Sequence, residues 1–360
     1  MFGRIREVPE ARTAPSAAAA TSSVGCRAVP TDPTYYTIAT APFFPGLVAL
    51  LNSLRLSGNA GELVVLDRGL EAGQRARLEP HAQVVELPPD AATNPILLKA
   101  YPQAFDPSGV IVIVDSDMLV VAPLDAIARR AADGSICVFP DPIRDRWFPE
   151  WAEALELRAP LRRQTYVNSG FVAFSFDLRP DLLTRWWELC ARVPTAEVRS
   201  DERSPFWAGD QDALNALLSS ELPEDAVEVL PVEGQAHPEQ LLRVRVLDER
   251  TLECELDGQA VSILHHSLGP KAWQRLGWLR LRNDAYVRLL PRLLFGDDVT
   301  LQLDPAEVPF RLRPGSTPAA LRRTLDAAHG GARAAVYATP PPLRRGLVGL
   351  RNRLFRPLGG

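Results

Sequence analysis

The chain has almost no lysine. Of its 40 basic residues only Lys99 and Lys271 are lysines. In a background that uses arginine almost everywhere, two survivors mark places where a compact ammonium is kept and a guanidinium fork does not fit. Chance survival is the alternative. Cysteine is scarce as well. Cys26, Cys137, Cys190 and Cys254 stand apart with no Cys-x-x-Cys pair. That argues against a zinc site and a disulfide framework, and suits a reducing cytoplasm. No apolar run reaches the length of a membrane span. The N-terminus carries Arg4 and Arg6 but lacks the apolar core of a secretory signal. The formal net charge of -4 is near neutral for 360 residues, so nothing points to a nucleic-acid partner. No Gly-x-Gly-x-x-Gly follows the first predicted strand, and no Gly-x-x-x-x-Gly-Lys-Ser/Thr occurs anywhere. Dinucleotide-binding and P-loop folds are therefore disfavoured.

What is present centres on residues 109–125. Val110 to Val114 form an unbroken aliphatic run after a Pro-Ser-Gly turn, the pattern of a strand buried on both faces. Asp115 and Asp117 follow directly, where the strand should end. Open α/β sheets bind ligands at the carboxyl ends of their strands. Two carboxylates one residue apart can hold a divalent cation, and the cation a diphosphate. A loop of solvated acids is the bland alternative.

Around this strand the pattern alternates. Residues 1–33 are rich in Ala, Pro, Ser and Thr and read as a disordered leader. Strands are expected over 35–40, 63–66, 84–87, 136–139 and 166–176. Helices are expected from Pro45-Gly46 onward, over 72–78, 94–104 and 182–190, after Gly209, and over 279–294. Short strands are expected within 226–264. The alternation predicts an α/β protein with a mostly parallel central sheet and helices on both faces. The expected catalytic domain covers 34–295, followed by a C-terminal extension over 296–360.

Four pieces in order resemble glycosyltransferase family 8, the group that includes glycogenin and bacterial lipopolysaccharide sugar transferases. They are Ala39-Thr40 with Pro45-Gly46; Asp115-Ser116-Asp117; Asn168-Ser169-Gly170 with Asp210-Gln211-Asp212; and His266-Ser-Leu-Gly269-Pro-Lys271-Ala-Trp273. The likeness spans about residues 35 to 275 and implies a GT-A fold. It also implies metal-dependent transfer of a hexose from a nucleotide-diphosphate sugar, with UDP the expected nucleotide, to an acceptor hydroxyl with retention. By this resemblance Asp115, Asp117 and His266 hold Mn²⁺ or Mg²⁺. His265 is set aside, because the family's His-x-x-Gly spacing reaches Gly269 only from 266. An imidazole ligand favours Mn²⁺.

Lys271 is expected to neutralise the leaving diphosphate, with Gly269 admitting backbone close to phosphate oxygens. Lys271 lies two residues after the glycine where the family usually has three. Ala39, Thr40, Lys99, Ser116, Asn168 and Ser169 are expected to line the donor. For Lys99 a helix-surface lysine is the alternative. Phe43 or Phe44 is expected to stack on the base, or else to pack in the core. Asp210 and Gln211 are expected on the sugar's far face, with a plain helix N-cap as the alternative for Asp210. Asp212 reads as structural. Because Gln211 is a poor nucleophile, same-face displacement is favoured over a double displacement through Asp210.

A sugar-nucleotide pyrophosphorylase is the rival enzyme, but Ala39 to Gly46 lacks the basic residues of its phosphate loop. A catalytically silent nucleotide-sugar-binding or scaffolding protein of the same fold is the other alternative. The acceptor is a saccharide, a lipid-linked molecule or a protein. Residues 341–360 are basic and amphipathic, with Arg344, Arg345, Arg351, Arg353 and Arg356 unopposed by acids. They predict peripheral contact with an anionic membrane from the cytoplasmic side. Packing on the protein's own body is the alternative, and Gly346 and Gly349 weaken a helix there.

Overall fold

The computed structural model describes residues 32–88, 95–102, 107–267, 270–274 and 284–315. Gly269, the tail at 341–360, the leader up to residue 31 and parts of the helices expected over 94–104 and 279–294 lie outside these residues. The first half of the chain runs β1 (Thr34–Ala39), α1 (Phe44–Leu56), β2 (Leu63–Asp67), α2 (Ala72–Leu78), β3 (Gln83–Glu86), β4 (Val110–Val114), β5 (Met118–Val120), α3 (Asp125–Ala132) and β6 (Ile136–Pro140). It continues through α4 (Trp151–Ala154), β7 (Val167–Ser175), α5 (Asp181–Arg192), α6 (Asp210–Ser220), β8 (Val227–Val229) and β9 (Gln235–Ala236). Then follow β10 (Arg245–Asp248), β11 (Glu253–Leu256), β12 (Gln259–Ala260), β13 (Ile263–His265) and α7 (Ala285–Phe295).

Among the described residues seven strands form the central sheet, in the order β3-β2-β1-β4-β7-β6-β8. β7 alone runs against its neighbours, so the sheet is mostly parallel as the alternation predicts. The unbroken apolar run of β4 has a direct cause. Val110, Val112 and Val114 join one core with α1 and α7, while Ile111 and Ile113 join a second core with α5 and α6. Successive side chains of a strand point to opposite faces, so a strand covered on both sides must be apolar at every position. β7 divides likewise, with Phe171 and Ala173 on one face and Val172 and Phe174 on the other.

Within 94–104 the described part is a 3-10 turn, Pro95–Leu98. Prolines at 95 and 102 leave little room for a regular helix between them. Residues 296–315 pack back on the body. Asn52 of α1 donates to the carbonyls of Leu293 and Leu301, and Leu301 N–H donates to Asn52 Oδ1. Leu301, Leu303, Val308 and Leu312 join the core that holds α1. Among the described residues no helix is long and apolar enough to cross a membrane.

Candidate active site

β4 ends where the chain must turn. Asp115 N–H donates to Gly170 O on β7, and Met118 N–H closes the turn onto Asp115 O. The chain then returns as β5, which pairs antiparallel with β13 and sets His265 opposite Met118. Asp115 and Asp117 therefore stand at the carboxyl end of β4, and Ala39 ends the parallel neighbour β1 at the same edge. Gly170 keeps this corner narrow. A Cβ there would lie 2.8 Å from both Asp115 Oδ2 and Asn168 Oδ1.

The structure brings His265 to the acids, where the resemblance implies His266. His265 Nε2 lies 3.3 Å from Asp117 Oδ1 and 3.8 Å from Asp115 Oδ2. Ligand atoms of Asp115, Asp117 and His265 all lie within 4.8 Å of one another. His266, just past the end of β13, turns its ring onto Tyr286 of α7, 5.2 Å between centroids. Its backbone still serves the site, since its N–H donates to Asp117 O and its carbonyl accepts from Lys271. Burial and the nearby Lys271 hold the His266 imidazole below its ordinary pKa, against the pull of Asp284. The spacing quoted for the resemblance contains the correction. Three residues from His to Gly and three from Gly to Lys make six, and six back from Lys271 is His265.

Both lysines of the chain are here. Lys99 Nζ lies 2.9 Å from Asp115 Oδ1 and 3.2 Å from Asp210 Oδ2, and donates to Ser169 Oγ at 3.1 Å. Lys271 Nζ lies 2.5 Å from Asp117 Oδ2 and donates to His266 O at 2.8 Å. Burial works against the charges of Lys99, Asp117 and Asp210. It opposes the Lys99 ammonium, but Asp115 and Asp210 together overcome it and raise the lysine's pKa. It opposes the Asp117 carboxylate, but Lys271 and His265 overcome it and hold that group well below the usual carboxylate range. Asp210 is different. It shares Lys99 with Asp115, so burial prevails and its pKa is raised.

Asp210 is not the helix cap. Gly209 caps α6 with φ 63°, a backbone conformation glycine adopts freely. The Asp210 carboxylate instead accepts from Ser169 Oγ at 2.6 Å. Gln211 is pinned on all sides. Its Oε1 accepts from Asn168 Nδ2 at 3.0 Å and Ser169 N–H at 3.1 Å, and its Nε2 donates to Asp141 Oδ2 at 3.0 Å. Asp212 is structural as expected. It is fully buried and accepts from Arg146 Nε and from Tyr166 Oη, each at 2.7 Å.

The remaining expected residues fall nearby. Ser116 is buried beneath α1, where a Cβ on Gly46 would meet its carbonyl and the Trp273 ring. Thr40 closes the turn into α1 by accepting from Phe43 N–H. The Phe43 ring lies edge-on to Trp273 at 5.9 Å, with Lys271 Nζ 5.7 Å from its centroid. Phe44 is buried in the core.

Asp141 and Gln235 complete the site without having been singled out from the sequence, and His265, set aside there, joins them. Asp141 was findable. It follows the buried strand β6 directly, as Asp115 follows β4, and it accepts from both Asn168 and Gln211. Pro140 cannot donate to the ladder, and β6 shifts register against β7 just before it. Gln235 sits on two-residue β9, and no local pattern marks it.

No family model and no curated protein matches the chain. Among solved structures it is similar to an active-site mutant of LgtC, with TM-score 0.46 and 15% identity over 68% of this chain and 91% of that one. The galactosyltransferase LgtC in complex with donor and acceptor sugar analogs has TM-score 0.44 and 15% identity, over 67% of this chain and 90% of that one. Mouse xyloside xylosyltransferase 1, in its apo form, has TM-score 0.41 and 15% identity over 66% of this chain and 98% of that one.

Proposed function

We propose that the protein is a metal-dependent glycosyltransferase that moves a hexose from a nucleotide-diphosphate sugar, UDP-linked, to an acceptor hydroxyl with retention of configuration. One observation carries this reading. Asp115, Asp117, His265, Lys99, Lys271, Asp210, Gln211 and Asn168 come from five separate stretches of chain and converge at the carboxyl end of one buried strand. Counting Asp141, four carboxyl groups meet two ammoniums there, so negative charge is in excess. Asp117 Oδ1 is buried and has no hydrogen-bond partner. Two hard oxygens and an imidazole fit a divalent cation, and the imidazole favours Mn²⁺ over Mg²⁺. Asp115, Asp117 and His265 would hold it. Bound there, the cation would neutralise charge on a departing diphosphate.

Lys271 supports the same task, with its ammonium held at the edge of the acid pair. Lys99 holds Asp115 and Asp210 in place. Asn168 offers an amide to sugar hydroxyls. Gln211 already accepts two hydrogen bonds through Oε1, which leaves it poorly suited to attack carbon. Asp210 is tied to Ser169 and Lys99. Both facts favour same-face displacement, with Asp210 and Gln211 steadying positive charge on the sugar.

The 2.5 Å contact of Lys271 with Asp117 favours one alternative, a silent sugar-nucleotide-binding protein in which the ammonium replaces the cation. A single experiment separates the two. The protein is incubated with a panel of nucleotide sugars and Mn²⁺, and release of nucleoside diphosphate is followed. Turnover is expected, with loss in EDTA and in Asp115→Ala or Asp117→Ala. Wild-type turnover by the double variant in EDTA would sink the metal-dependent reading. Donor binding without turnover would favour the silent one.

A further inference from the structure

The hydrogen bonds around β9 determine which nitrogen of His265 carries the proton. The chain of inference starts at a backbone donor, whose direction is not adjustable. Gly170 N–H donates to Asn168 Oδ1 at 3.0 Å. The Asn168 amide nitrogen faces two acceptors, Asp141 Oδ2 at 3.1 Å and Gln211 Oε1 at 3.0 Å. Turning the Asn168 amide over would bring oxygen against the oxygens of Asp141 and Gln211 and an NH2 against the Gly170 N–H, so its orientation is set. Asn168 Oδ1 must then be met by a donor from Gln235, and Gln235 Nε2 lies 3.2 Å from it. The same Nε2 lies 3.0 Å from His265 Nδ1. A nitrogen facing an amide N–H must accept. In a neutral ring the proton is then on Nε2, the nitrogen that lies 3.3 Å from Asp117 Oδ1. Gln235 Oε1, meanwhile, is buried with no partner.

A histidine that ligates a metal almost always donates its other ring N–H to an acceptor behind it. Gln235 presents the opposite polarity. We propose that Gln235 is a positioning residue that locks His265 in its Nε2–H tautomer, which leaves a proton where a ligand lone pair is needed until the Gln235 amide turns over and frees Nε2 for a cation. This rests on reading Asp115, Asp117 and His265 as the cation site. The exchange balances. The Nε2 proton leaves for solvent as one from solvent binds Nδ1, and the unpartnered Gln235 Oε1 becomes its acceptor. Gln235 Nε2 loses Asn168 Oδ1, which keeps the Gly170 N–H. Cation loading is thereby coupled to the asparagine that holds Gln211.

The test uses full-length protein with ¹⁵N-labelled histidine, in EDTA. The chain has five histidines, so single substitutions suffice to assign the His265 ring nitrogens. Long-range ¹H–¹⁵N spectra are expected to show Nε2 protonated and Nδ1 bare. Gln235→Glu supplies an acceptor, so the proton should move to Nδ1. Mn²⁺ should then bind about tenfold or more tightly, within the range second-shell partners command, as read from the free-ion EPR signal. A glutamate also opposes Asn168 Oδ1, so Gln235→Met serves as a second variant. It removes the amide donor at similar shape, should lose the tautomer preference and should bind Mn²⁺ more tightly than wild type. Nδ1 protonated in the metal-free wild type overturns the proposal. So does Mn²⁺ affinity unchanged in both variants. Neither readout needs a substrate. A protein that consumes no nucleotide sugar yet shows the Nε2–H ring would defeat the proposed function and leave this inference standing. An active enzyme with the opposite tautomer would do the reverse.

Discussion

Replacing Lys99 with methionine tests the electrostatics of the site apart from its chemistry. The side chain keeps its stem and loses its ammonium. Asp115 and Asp210 are then left facing each other without the charge between them. The Asp210 side chain is only 2% exposed and the Lys99 side chain 11%, so solvent screens little of the loss. Removing one partner of a buried pair costs about 3 to 5 kcal/mol, chiefly from the uncompensated charge left behind. At about 2 °C per kcal/mol for a chain of this size, Tm at pH 7 should fall by roughly 6 to 10 °C.

The pH dependence carries a second check. The pKa of Asp210 is already raised by burial, and losing Lys99 raises it further. A carboxyl whose folded pKa lies above its unfolded value binds more protons when folded. Its contribution to stability therefore falls as pH rises through the folded pKa and returns as pH falls. The Lys99→Met defect should shrink on going from pH 7 to pH 5. Adding Asp210→Asn should recover much of it at pH 7. Differential scanning calorimetry at the two pH values measures all three. A Lys99→Met protein melting within about 2 °C of wild type at pH 7, or one whose defect grows on acidification, would refute the reasoning.

Lys271→Ala should lower kcat more than donor affinity, by roughly 2 to 4 kcal/mol of barrier, because leaving-group charge grows toward the transition state. Steady-state kinetics decide this, and Lys271→Arg with normal constants would show that the compact ammonium is not required. Gly170→Ala places a methyl 2.5 Å from Met118 Cε and 2.8 Å from Asp115 Oδ2. Overpacking of this kind costs about 1 to 3 kcal/mol. It should also weaken Mn²⁺ binding by calorimetry, and an unchanged affinity would show the corner to be looser than described. Residues 341–360 should carry the chain to anionic vesicles at low salt, at about 1 kcal/mol per arginine near the surface. In co-sedimentation, a chain ending at Thr339 that pellets as well as the full chain would end that idea.

Local sequence determined the frame of this protein. A strand covered on both faces must be apolar at every position, so Val110 to Val114 was legible, and the acids after it marked a strand end. The scarcity of lysine was legible too, and both lysines lie at the acid pair. Tertiary structure decided which histidine faces those acids, where the spacing back from the glycine and the spacing back from Lys271 point to different ones. His265 and His266 are adjacent and alike, and only the pairing of β13 with β5 separates the ring that reaches Asp117 from the ring that turns to Tyr286. It also decided the role of Asp210, whose carboxylate passes over the helix backbone for Ser169 and Lys99. Gln235 lay beyond any sequence argument. Its effect on His265 depends on the direction of a backbone N–H 65 residues earlier in the chain, at Gly170, transmitted through Asn168. Hydrogen-bond polarity of that kind passes between groups adjacent only in space, so it exists only once the strands are paired.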